Sequence, residues 1–377
     1  MRIEDFLRLR QTDMPAVLMN VDRAVGLGPD DVLFAVGSIA EGLGNSRSDL
    51  DLIFITPRHD SQTTPSSVTL VVGKCIIDVA ILAVDAVEDL FTRFDEWSSQ
   101  PWNVTHSAPF MPEERLLLHR LRHGLILHCG EREQVTSRIP SVLNLARLKL
   151  HVARQQARTI QVDMAGYREV VDFSSLVFAA QELLGHAIDA LLAGHQITNP
   201  TPKWRSRLLK SLPADWELAL GTRPSGLSAE QLAWSLHRAP ARPDQKLASQ
   251  HALRIMTFAR AVFLWAETKL IKGSGANRKA WPRLKPQARD VRLPYLDFDI
   301  DFLLTNGHVS VARLNEFSET LKLSHDDFSL ALLFDGTTTA REAERFVFGS
   351  RRGNEQAKAV NDLLSRVHKA GFNVSQK

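Results

Sequence analysis

Residues 32–55 read VLFAVGSIAEGLGNSRSDLDLIFI. An apolar run, Val32–Val36, ends at Gly37-Ser38, and a polar loop with Gly42 and Gly44 follows. Asp49-Leu50-Asp51 then opens a second apolar run, Leu50–Thr56. Short Val-, Ile- and Phe-rich runs bounded by Gly, Ser and Asn read as strands. In a strand, residues two apart share a face. Asp49 and Asp51 are therefore expected side by side, with Leu50 and Leu52 turned to the core. Two carboxylates that close repel each other unless a cation lies between them. Hard oxygen donors of this kind suit Mg²⁺ or Mn²⁺.

A third carboxylate comes from the next strand-like stretch, residues 69–82, which is broken by Gly73. Within it, CIIDVAIL (residues 75–82) carries Asp78 among apolar neighbours, where an aspartate is costly unless paired or metal-bound. If that strand lies beside Leu50–Thr56, Asp78 joins Asp49 and Asp51. Three carboxylates could then hold two divalent ions about 3.5–4 Å apart, the arrangement for in-line displacement at phosphorus. Gly37 lets the backbone approach a phosphate, and Ser38 supplies a hydroxyl and an N–H. A helix capped by Ser38 would add its dipole.

The order Gly-Ser, ten residues, Asp-x-Asp on an apolar strand, then an isolated Asp on another strand resembles the polymerase-beta nucleotidyltransferase superfamily. The wording GSIAEGLGNSRSDLDL is most similar to its small bacterial members, including the aminoglycoside-modifying enzymes. The resemblance covers roughly residues 30–130. It implies Asp49, Asp51 and Asp78 as ligands of two Mg²⁺ or Mn²⁺ ions. It also implies Gly37 and Ser38 as contacts of a nucleoside triphosphate, with transfer of a nucleoside monophosphate, AMP from ATP, and release of pyrophosphate. In such relatives a helical domain closes over the site, a Lys-Trp pair follows a long helix, and a helical carboxylate serves as base. By that likeness Lys203 would reach the triphosphate, with Arg205 or Arg207 near it, and Glu182 would be the general base. Asp78 is the alternative base.

Outward from this stretch, residues 3–27 show helical spacing, as do 86–97 and 113–124, and 125–129 reads as a strand. The expected fold class is α+β. It comprises a nucleotidyltransferase domain with a mixed sheet over 1–130, a helical domain over 131–275, a basic linker over 276–293, and a small winged-helix-like domain over 294–377. Helices are expected over 138–164, 173–193, 203–211, 229–237 and 245–271. In the last part, Asn306-Gly307 between apolar runs signals a hairpin. Helices are expected near 325–333, 338–347 and 356–369, with a turn at Asp335-Gly336 and a cap within Thr337–Thr339. The hairpin, the Asp-Gly-Thr-Thr and their spacing resemble the PqqD-like winged-helix module. That likeness implies docking of a leader peptide by strand addition. The acceptor is thus a small molecule, such as an aminoglycoside-like antibiotic, or a peptide or protein; a non-catalytic nucleotide or peptide binder is the rival from another class.

The chain has 377 residues, enough for two or three cores, and a net charge of +3, which suits a triphosphate but is too weak to argue for nucleic acid. Cys75 and Cys129 sit in apolar runs and are expected as buried, reduced thiols. His119 and His123, four apart but among arginines, are expected on a surface helix rather than at a zinc site. No signal-like h-region and no run of 18 apolar residues is seen, so a cytoplasmic protein without a membrane span is expected.

Overall fold

The structure, a computed structural model, describes residues 1–58, 66–103, 107–131, 133–273, 281–284, 287, 290–305, 308–314, 316–349 and 354–373. It is α+β and divides into two compact units: Met1–Pro101 with Ala108–Leu145, and Trp102–Ser107 with Ala146–Lys377.

The first unit opens with α1 (Ile3–Leu9) and α2 (Met14–Val25) where the periodicity alone predicts one helix. The break has a local cause. Gln11 takes a left-handed conformation (φ 56°), and Asp13 caps α2 by accepting the Ala16 N–H. The Arg10 carbonyl, freed by the break, accepts the Lys74 N–H at 2.7 Å. Then come β1 (Val32–Val36), α3 (Gly37–Ala40), β2 (Leu50–Thr56), β3 (Ser67–Val72), β4 (Cys75–Ala83), α4 (Val84–Ser99), α5 (Pro112–His123), β5 (Leu125–Cys129) and α6 (Glu133–Ser137). The five strands form one mixed sheet in the order β3-β4-β2-β1-β5; β2 and β4 are parallel, and the other neighbours antiparallel. Leu50, Leu52, Ile77 and Val79 point to one face and are buried with Phe6, Leu7, Val17 and Val21. Burying such side chains stabilises by about 1.5–3 kcal/mol each.

The second unit carries the long helices α7 (Val142–Glu169, which starts in the first), α8 (Phe173–Gly194) and α11 (Gln245–Lys272). Between α8 and α11 lie a 3₁₀ turn at Pro202–Trp204, α9 (Arg205–Leu209), a 3₁₀ turn at Trp216–Leu220 and α10 (Ala229–His237). The expected helix over 203–211 is thus a short pair of turns. α8 packs on α11 so closely that a Cβ on Gly194 would enter the Trp265 indole. By length and composition alone α8 is long and apolar enough to cross a membrane, but 67% of its apolar window is buried inside the protein, as in a core helix.

The chain ends with β6 (Ile300–Thr305), β7 (His308–Arg313), β8 (Glu316–Leu323), α12 (His325–Ala331), α13 (Ala340–Phe348) and α14 (Asn354–Lys369). The antiparallel sheet runs β6-β7-β8. The β6–β7 pairing agrees with the expected hairpin, though Asn306 and Gly307 lie outside the described residues. Strand β8 was not foreseen.

A buried ion network ties α7 and α11 to β6. Arg154 reaches Glu267 at 3.1 Å and Asp301 at 3.0 Å, Arg158 reaches Asp301 at 3.2 Å, and the Arg154, Glu267 and Asp301 side chains are at most 2% exposed. Arg260 donates to the carbonyls of Leu296, Asp297, Phe298 and Ile300. Burial pushes its pKa down to about 10, still protonated at neutral pH. Burial alone would raise the Asp301 carboxyl, but Arg154, Arg158 and Arg260 outweigh that and hold it below its ordinary value. The contribution of Asp301 is therefore full above the unfolded value of about 3.9 and is lost as pH falls below it. We expect Asp301→Asn to lower the unfolding free energy of this unit by about 3–5 kcal/mol at pH 7, and by progressively less below about pH 4, in urea titrations followed by tryptophan fluorescence.

Candidate functional site

Strand β1 delivers the chain to Gly37, whose φ of +72° is a left-handed conformation that favours glycine. The position is also closed sterically, because a Cβ on Gly37 would overlap the Asp51 carboxylate. The reason lies in the register: Val36 is the partner of Asp51 across β1 and β2. The turn and the carboxylate therefore pack against each other.

Ser38 does not cap a helix as expected. Val36 is the N-cap, α3 has only four residues, and Ser38 lies inside it. Its carbonyl accepts the Gly44 N–H at 2.6 Å, which folds the glycine loop back onto α3. Beyond that loop, Ser48 Oγ accepts the Asn45 N–H and Asn45 Oδ1 accepts the Arg47 N–H, a self-capped turn that leads into Asp49.

On the parallel pair β2 and β4, Asp51 and Asp78 are direct register partners. Alternation of buried and open positions along β4 turns Ile77 and Val79 inward and Asp78 outward, and Leu50 and Leu52 bracket Asp51 in the same way. The two acids thus stand side by side on the face of the sheet opposite Leu50, Leu52, Ile77 and Val79, at half-buried positions, while Ile53 and Ile55 farther along that face of β2 are buried. Thr69 of β3 donates its hydroxyl to Asp78 Oδ1 at 2.7 Å. The Arg120 guanidinium of α5 lies 3.7 Å from Asp51 Oδ1. Asp49, just ahead of β2, is exposed. Among the described residues no three His, Cys, Asp or Glu side chains converge as a ready metal-ligand set. The juxtaposed pair is Asp51 and Asp78, with Asp49 two residues upstream on the chain. Side-by-side, half-buried carboxylates are a hard-oxygen donor set, and they fit a divalent cation such as Mg²⁺.

The sequence reading placed His119 on a surface helix, but it is fully buried. Its Nε2 lies 3.0 Å from Glu41 Oε2, and its ring lies 4.6 Å from that of His123. This pair pins α5 to the residue that follows α3. It explains why a helix carrying three arginine and histidine neighbours turns one imidazole inward. Cys129 is also corrected. It is exposed on the edge strand β5, whereas Cys75 is buried as expected. Burial, with Asp49 adding and Arg10 opposing, pushes the Cys75 thiol up, so it is a poor nucleophile.

Glu182 and Lys203 belong to the second unit. Glu182 is exposed on α8. Lys203 is exposed in a 3₁₀ turn, its ammonium 5.1 Å from the Trp204 ring centre. Arg205 is held by both oxygens of Asp189, at 2.9 and 2.6 Å, which is a structural role. Of the basic linker, residues 276–280, 285, 286, 288 and 289 lie outside the described residues. Arg120, Thr69 and Glu41 were missed as site residues. Arg120 follows His119 in the sequence, so helical spacing could have pointed to it once α5 was set beside β1.

We expect Gly37→Ala to destabilise the first unit by at least about 2 kcal/mol, from the left-handed backbone and the displaced Asp51 together. Thermal unfolding of the variant against wild type checks this. No protein-family model matches the chain, and no curated protein matches it.

Proposed function

We propose that this chain is a metal-dependent nucleotidyltransferase that moves a nucleoside monophosphate, AMP from ATP, to a hydroxyl or similar nucleophile. One observation carries the reading: Asp51 and Asp78 are register partners on parallel strands, both half-buried, and Asp51 packs against the Gly37 turn. In this reading the first unit is a nucleotidyltransferase core and Asp49, Asp51 and Asp78 hold two divalent ions. When bound, such ions neutralise the triphosphate and lower the proton affinity of the attacking oxygen.

The chain's own groups have separable tasks. The Gly37-Ser38 turn offers backbone N–H groups and the Ser38 hydroxyl to phosphate oxygens. Thr69 orients the Asp78 carboxylate by a hydrogen bond, leaving its other oxygen for a cation or a proton. Asp78 can take the proton of the acceptor. Arg120 is a fixed positive charge next to Asp51, able to offset the charge of the acid pair and to attract an anionic substrate.

The acceptor is a small molecule or a peptide. The peptide reading is favoured by the C-terminal sheet, whose order leaves β6 and β8 as its outer strands, where an extended chain could add by backbone pairing. In this reading β6–β8 and α12–α14 form a PqqD-like winged-helix module that docks a leader peptide.

Pyrophosphate release from each of the four nucleoside triphosphates, with Mg²⁺ or Mn²⁺, tests the proposal. Wild type is expected to release pyrophosphate only with metal, and Asp51→Asn to reduce the rate at least about a hundredfold while its melting temperature stays close to wild type. Equal release by wild type and Asp51→Asn would refute the role of this carboxylate. Tight triphosphate binding without release, across small-molecule and peptide acceptors, would favour the non-catalytic binder.

A further inference from the structure

The second unit contains a cavity of about 260 Å³ bounded by α10, α11, the loop after Leu220 and the Asp335-Gly336-Thr337 turn. It lies within one compact unit and takes in the Asp335 and Thr337 side of the Asp-Gly-Thr turn.

Its walls are preformed. Segment 291–295 pairs with 335–340: the Leu293 N–H donates to Thr338 and the Ala340 N–H to Val291, both at 2.8 Å, and Tyr295 bridges Asp335. Gly336 has φ +68°, and a Cβ there would overlap the Tyr295 ring, so the phenol lies flat on the turn. Both acids at the cavity are already satisfied. Asp335 accepts the N–H groups of Thr337 and Thr338 and the Thr338 hydroxyl. Glu217 accepts the Ser225 N–H at 2.7 Å, the Ser225 hydroxyl at 3.0 Å and the Gly226 N–H at 3.3 Å. Carboxylates saturated in this way hold loops in place and have little left to offer a cation.

The two arginines differ. Arg223 reaches Glu342 at 3.6 Å. Arg254, on α11, has no hydrogen-bond or ion-pair partner among the described residues, and it lines the cavity together with Tyr295. The other side is apolar, with Leu232 and Leu236 from α10 and Phe258 from α11. An unpaired cation, a phenol and an aliphatic–aromatic wall form an amphipathic lining. The formal charges of Arg223 and Arg254 are matched by those of Glu217 and Asp335, whose oxygens are already engaged by loop donors, so Arg254 is the charged group left to meet a ligand. The volume lies just below the usual range of about 300–1,000 Å³ for small-molecule sites, which limits the occupant to a compact body.

We propose that this cavity is a binding site for a small amphipathic anion, a carboxylate or sulfonate with a compact apolar body. The anionic head lies at Arg254 and the Tyr295 hydroxyl, and the body lies against Leu232, Leu236 and Phe258. A charge-assisted contact to Arg254 gives affinity, and the hydrophobic wall excludes fully hydrated anions such as inorganic phosphate.

The test uses two fluorescent probes on the full chain: 8-anilinonaphthalene-1-sulfonate and its uncharged counterpart N-phenyl-1-naphthylamine. Wild type is expected to bind the sulfonate saturably, one per chain, at temperatures well below its melting transition. Arg254→Gln, at an exposed position, should weaken the sulfonate at least about tenfold and Arg254→Lys less than about threefold, while the neutral probe changes less than about twofold. Leu232→Gln should weaken both probes. Absence of saturable binding, equal sulfonate affinity in Arg254→Gln and wild type, or equal loss of both probes in Arg254→Gln would each overturn the proposal.

Discussion

The parallel register that sets Asp51 against Asp78 is the constraint on which the candidate site of the first unit depends. Parallel pairing places them directly opposite each other and so on the same face, with Leu50 and Leu52 beside Asp51, and Ile77 and Val79 beside Asp78, turned to the other. A pair of like charges at strand spacing is unfavourable unless something compensates it. The chain itself compensates the pair: the Thr69 hydroxyl donates to Asp78 and the Arg120 guanidinium lies 3.7 Å from Asp51. In the two-metal proposal, divalent ions add further positive charge at the same carboxylates.

The scaffold around the acids is built for close approach. Gly37 is required twice, by its backbone and by the space that Asp51 occupies. The buried contact of His119 with Glu41 then fixes α5 against the end of α3, and brings Arg120, one residue on, to the acids. Second-layer contacts of this type set where a site's groups point, even when they touch no substrate. In the second unit a different device prevails. The network of Arg154, Glu267, Asp301 and Arg158, with Arg260 on four carbonyls, joins helices to the C-terminal sheet through buried charge. Such networks specify one arrangement because any other leaves charges unpaired in the interior.

Much of the first unit was legible because its signals are local. The apolar runs at 32–36, 50–56 and 75–83 have the residues and punctuation of strands, and period two alone sends Leu50 and Leu52 inward. Capped long helices such as Phe173–Gly194, with Asp172 accepting the Ser175 N–H, were equally plain. What escaped depends on tertiary context. The break at Gln11 interrupts an unbroken apolar pattern, and its logic appears only with the Gly73 turn packed against it. Strand β8, EFSETLKL, is polar enough to pass for a loop, and pairing with β7 decides it. The burial of His119 depends on Glu41, 78 positions away. The register of Asp51 with Asp78 is likewise non-local: the sequence offers three acids on two strands, but only the parallel pairing selects which two become neighbours.

The most direct test of the central claim is crystallographic: diffraction near the manganese edge from crystals grown with Mn²⁺ and a non-hydrolysable nucleoside triphosphate analogue. The account predicts two anomalous peaks about 3.5–4 Å apart, in contact with the Asp51 and Asp78 carboxylates and bridged to the triphosphate. An ordered triphosphate elsewhere in the molecule, with no manganese at these two carboxylates, would contradict it.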